Sequence, residues 1–85
     1  MKHRYLVLVM RNPGFDTSLI DAHLRFIDDL RAQRRIELSG GFGDRSGGAY
    51  LLRAESLDEA RALAERDPLH VQRASTITIH EWSAA

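Results

Sequence analysis

YLVLVM, residues 5–10, is an unbroken apolar run of Val, Leu, Tyr and Met set between Arg4 and Arg11. A strand with one wet face alternates polar and apolar residues. The lack of alternation here predicts a strand covered on both faces, and so an inner strand of its sheet. Everything downstream is read against it. Asn12-Pro13-Gly14 stops the run and turns the chain. LIDAHLRFIDDL, residues 19–30, then carries Leu19, His23, Phe26 and Leu30 along one helical stripe, with Ile20 and Ile27 beside them. Thr17 or Ser18 is the expected cap, Asp21 suits the first turn, and Arg31, Arg34 and Arg35 suit an end near Arg34.

Ile36 to Phe42 reads as a second strand, Gly43 to Gly48 as a hairpin loop, and Ala49 to Ala54 as a third strand. Ser56-Leu57-Asp58-Glu59 is a capping box that opens a second helix, with Leu57, Ala60, Leu63 and Ala64 on its apolar face. Pro68 is expected to end it, because proline disfavours helical geometry in the preceding residue. STITIHEW, residues 75–82, alternates as the last strand. The order βαββαβ predicts an α+β, ferredoxin-like domain over residues 1–85: a four-stranded antiparallel sheet with two helices on one face.

Helices on one face leave the other bare, although YLVLVM is apolar on both. Either Tyr5, Val7 and Val9 or their neighbours would form a sizeable exposed patch. Packing two such sheets together removes it, so a homodimer is expected. The chain has no cysteine and hence no disulfide frame, and small domains without such staples often gain stability by oligomerising.

Twelve basic residues balance twelve acidic ones, so there is no global field to attract nucleic acid or an anionic membrane. No apolar segment reaches bilayer length, and the opening MKHRYLVLVM lacks a signal-peptide pattern. The expected setting is cytoplasmic.

The topology gathers polar groups at one end of the sheet: Arg11, His23, the Ser39–Phe42 strand end, Asp67, and Ser75 with Thr76. Convergence of this kind suits a small-molecule pocket. His23 stands where a leucine would be ordinary. Asp67 continues the inward face of the second helix, at a C-terminal end where an acid opposes the macrodipole. The helices run antiparallel, so each could satisfy the other, with the carboxylate fixing the tautomer of an acid/base histidine. Spacing alone leaves two readings open: a functional pair, or a satisfied core histidine beside a turn-shaping aspartate.

The whole chain resembles the YCII-related family of small α+β domains in the dimeric α/β-barrel group. The resemblance rests on the apolar first strand, HLRF (His23, Leu24, Phe26), Ser39-Gly40, ESLDEARAL (Glu55 to Leu63), Asp67-Pro68 and the closing strand with Trp82. It implies His23 and Asp67 as an active-site pair and small organic molecules as substrates, including elimination steps on substituted rings. After Asp-Pro this chain has Leu69 to Ala74 where family members often have an aromatic residue and a glycine-containing turn.

Arg11 could hold a ligand carboxylate or phenolate, and Gly40 could let backbone N–H groups approach a ligand. Ser39 lacks an activating base other than His23. GGFGDRSGG, residues 40–48, has no Lys-Ser/Thr and leads into a strand, so it is a hairpin and not a phosphate loop. His3, His23, His70 and His80 lack zinc-site spacing; neither metal nor cofactor is expected. The leading expectation is an acid/base enzyme of lyase, isomerase or hydrolase type, with His23 and Asp67 catalytic and Arg11, Ser39 and Gly40 binding substrate. The alternative is a non-catalytic binding or assembly module.

Overall fold

A computed structural model describes residues 3–84; Met1 and Lys2 of the basic lead, and Ala85, lie outside the described residues. In order, the elements are β1 (His3–Arg11), a 3-10 turn (Thr17–Leu19), α1 (Ile20–Ala32), β2 (Ile36–Gly41) and β3 (Gly47–Ala54). They continue with α2 (Leu57–Ala64), a one-turn helix α3 (Pro68–Val71) and β4 (Ser75–Glu81). The sheet order is β2-β3-β1-β4 with every neighbouring pair antiparallel, which is the ferredoxin-like α+β arrangement. None of the helices is long and apolar enough to cross a membrane among the described residues.

β1 is an inner strand, paired on both edges. Its side chains divide by parity. Tyr5, Val7 and Val9 are sealed in a core with Ile27 and Leu30 of α1, Ala60 and Leu63 of α2, and Leu52 of β3. Leu6, Leu8 and Met10 point the other way and stay half-buried. The bare face is therefore the one carrying Leu6, and the Tyr5 set lies under the helices. Leu52 is fully buried, and truncating it to alanine is expected to destabilise the fold by about 2–5 kcal/mol.

Three local expectations change. The α1 approach is capped by Asp16, whose carboxylate accepts the Ser18 N–H at 2.9 Å, ahead of Thr17 and Ser18. The helix ends at Ala32 because Arg34 adopts φ 60° and the Arg35 N–H turns back to the Leu30 carbonyl, which closes the last turn. Pro68 does not end α2, which stops at Ala64; it occupies the first turn of α3, where a missing N–H costs no hydrogen bond. The α2 cap is as expected: Ser56 accepts the Glu59 N–H at 3.1 Å, while the Glu59 carboxylate accepts the Glu55 N–H at 3.0 Å.

A β-bulge between Ile36 and Leu38 matters for the site. Ile36 pairs with Leu52 and Leu38 with Leu51, leaving Glu37 as the extra residue. Glu37 accepts from Arg4 Nε at 3.0 Å and Arg53 Nε at 2.8 Å. Beyond the bulge Leu38 faces outward, 69% exposed, and Ser39 falls opposite Tyr50 on the helix side.

Candidate active site

Between α1 and the sheet lies a cavity of about 190 Å³, bordered by Val9, Phe15, Leu24 and Ile27 and by polar groups from five elements. His23 Nδ1 lies 2.8 Å from Asp67 Oδ2. Asp67 is wholly buried, and its other oxygen accepts the Leu69 N–H at 2.9 Å. The aspartate thus caps the start of α3, where a negative charge is favoured, rather than opposing the end of α2. An ionised carboxylate only accepts hydrogen bonds, so toward Asp67 the ring donates from Nδ1, and in the neutral imidazole that leaves the lone pair on Nε2. Nε2 has no protein partner among the described residues, and the ring is 20% exposed.

Of the five residues singled out from the sequence, His23, Arg11, Ser39 and Gly40 border the cavity, and Asp67 stands behind His23. Ser39 Oγ accepts from Arg31 at 2.6 Å, which leaves its own proton free to donate. Gly40 and Gly41 leave part of the β2 wall as bare, exposed backbone. His70 sits half-buried in α3 and is not among the cavity-lining residues.

Two hydroxyls add to this set. Tyr50 and Ser75 both border the cavity, both are buried, and neither hydroxyl has a hydrogen-bond partner among the described residues. Burial, aided by the Asp67 charge, pushes the Tyr50 phenol far above its ordinary range, so it stays protonated and can donate. Its ring meets Phe26 edge-on at 6.4 Å. The inward parity of β3 could have flagged Tyr50 beforehand; an unpartnered hydroxyl is visible only in three dimensions.

A ferredoxin-like sheet with a buried carboxylate behind a cavity-facing histidine describes a small α+β protein with a partly open cavity between its first helix and its sheet. The chain belongs to the YCII family: residues 3–83 match the YCII-related domain. It is 40% identical over 80 residues to the uncharacterised protein YjpA of Bacillus subtilis, covering 94% of each chain. Among solved structures it is similar to 5-chloro-2-hydroxyhydroquinone dehydrochlorinase, TftG, from Burkholderia phenoliruptrix AC1100, in complex with 2,5-dihydroxybenzoquinone. That match has a TM-score of 0.74 and 26% identity, and covers 96% of this chain and 95% of TftG.

Proposed function

We propose that this protein is a small acid–base enzyme in which His23 moves a proton on a small organic molecule held in the cavity. The reading is carried by the 2.8 Å contact between Nδ1 and a carboxylate sealed from solvent, on a histidine that itself borders the cavity. Nε2 takes a proton from the substrate, and the resulting imidazolium is stabilised by Asp67. The same proton is then returned to a leaving group, to carbon or to water. Lyase, isomerase and hydrolase steps all use such a shuttle. Arg11, the Ser39 hydroxyl and the backbone at Gly40 supply donors for substrate oxygens.

The name of the solved relative favours elimination of HCl from a hydroxylated ring. In that step, on the keto tautomer of the ring with chlorine on a saturated carbon, His23 takes a substrate proton. The electron pair left behind forms the new double bond conjugated through the ring, and the C–Cl bond breaks with chloride leaving with its bonding pair. The working unit is proposed to be a homodimer. Its two sheets would pack through the Leu6, Leu8 and Met10 face, bordered by Leu38 and Trp82, which are 69% and 48% exposed.

Chloride release from 5-chloro-2-hydroxyhydroquinone tests the elimination reading. The native chain is expected to release chloride above the buffer rate, and His23→Asn to lose about 10²–10⁴-fold of that activity. Equal release by both proteins would remove His23 from the chemistry.

A further inference from the structure

Three arginines of this chain are half-buried rather than exposed: Arg4, Arg11 and Arg35. Two of them are ion-paired, Arg4 with Glu37 at 3.0 Å and Arg35 with Glu59 at 2.7 Å. Arg11 has no carboxylate and makes no side-chain hydrogen bond among the described residues. Its guanidinium instead lies 4.3 Å from the centroid of the Phe15 ring, and both residues border the cavity. A cation withdrawn from water usually has an anion beside it.

The same place holds a second incomplete group. Arg11 and Ser75 are direct partners in the β1–β4 ladder, which puts their side chains on one face of the sheet. Ser75 is 5% exposed, also borders the cavity, and its Oγ has no partner among the described residues. Buried hydroxyls are normally bonded. The backbone here is fixed, since the Arg11 N–H donates to the Ser46 carbonyl at 2.9 Å and the Asn12 N–H to the Ala74 carbonyl at 2.9 Å. A planar guanidinium fork and a free hydroxyl from residues that border the same cavity match an oxyanion, which accepts from both.

We infer that Arg11 and Ser75 form an anion subsite, which holds the ionised oxygen group of a small organic acid whose apolar body lies against Val9, Leu24 and Ile27. The cavity limits that body to about one ring, since an apolar cavity of roughly 150 Å³ accommodates benzene. The subsite deepens the acid–base reading, on which it rests for its purpose, by making the substrate an anion anchored at Arg11 with its reacting atom at His23. Binding itself does not require His23.

Benzoate and its neutral isostere benzamide, titrated at constant ionic strength into the 15N-labelled full chain, test the inference by NMR. Benzoate is expected to bind saturably and shift the Arg11, Ser39 and Ser75 amide signals, with benzamide weaker by about tenfold. Arg11→Met, which keeps a stem to lie on Phe15, should abolish the preference, and Ser75→Ala should weaken benzoate alone. Arg11→Lys, which keeps charge without the fork, should retain the preference at lower affinity and serves if Arg11→Met does not fold. His23→Asn should bind benzoate like the native chain, so loss of turnover and loss of the subsite are read separately. Absence of saturable benzoate binding, equal binding of benzamide, or an unchanged preference in a folded Arg11→Met would overturn the subsite.

Discussion

Replacing Asp67 by asparagine isolates what the buried carboxylate does. Asp67 accepts two hydrogen bonds, from Leu69 N–H at 2.9 Å and from His23 Nδ1 at 2.8 Å. Asparagine retains an oxygen for Leu69 and is as good a helix cap, so α3 should persist. At the other position an NH₂ group would face the Nδ1 proton, and two donors cannot bond. The ring is then driven to its other tautomer, with the proton on Nε2 and no base left at the cavity. A charge-assisted bond contributes about 1.5–3 kcal/mol, and the tautomer change recovers part of that, so the expected loss of stability is about 1–2 kcal/mol. Turnover should fall far more, by about 10²–10⁴-fold. Urea unfolding reads the first quantity, chloride release the second, and long-range 1H–15N spectra of the imidazole show the tautomer directly. If His23 in Asp67→Asn kept its proton on Nδ1, or turnover fell only in step with stability, the orienting role of Asp67 would be refuted.

Gly41 and Gly48 form an inner-face pair with opposite tolerance. A Cβ on Gly41 would meet only the Gly47 carbonyl at 3.9 Å, so Gly41→Ala should leave the urea midpoint almost unchanged while narrowing the cavity and weakening benzoate. On Gly48 it would lie 2.5 Å from the Gly40 carbonyl, and Gly48→Ala should destabilise by about 1–3 kcal/mol. The raised Tyr50 phenol makes the unfolded chain the readier proton donor above pH ~10, the ordinary tyrosine value. Stability should therefore decline from there upward by up to ~1.4 kcal/mol per pH unit for this residue. Tyr50→Phe, followed by urea midpoints at increasing pH, should show a shallower decline; an identical slope would contradict a protonated, buried phenol. Leu8→Arg places a charge at the centre of the outer sheet face and should convert the proposed dimer to a monomer in light scattering, without loss of secondary structure.

Periodicity and capping made much of the fold legible beforehand, because they are local. The Ser56-x-x-Glu59 box, the apolar run at 5–10 and the alternation at 75–82 each correspond to an observed element. What could not be read depends on competition between local signals and tertiary ones. Pro68 can stop one helix or start another; the chain uses it to start α3, because Asp67 caps that turn while also meeting His23. The run at 5–10 looks uniformly apolar, yet only the Tyr5, Val7, Val9 parity is sealed by the helices. The proximity of residues 23 and 67 followed from helix direction. The free hydroxyls of Tyr50 and Ser75 did not, since a residue type carries no record of which partners it lacks.

The single surplus residue in β2 gives backbone phasing control over pocket chemistry. Excising Glu37 would only straighten the strand, leaving Leu38 on Leu51 and Ser39 on Tyr50. Regular pairing with Glu37 retained would instead set Leu38 opposite Tyr50 beneath the helices and turn Ser39 to the other side of the sheet. Loss of the bulge without loss of its residue, at a position that does not border the cavity, would thereby exchange a hydroxyl-bearing wall for an aliphatic one. A change from bulged to regular pairing at this kink is a route by which related chains would diverge in what they accept while keeping every lining residue in their sequence.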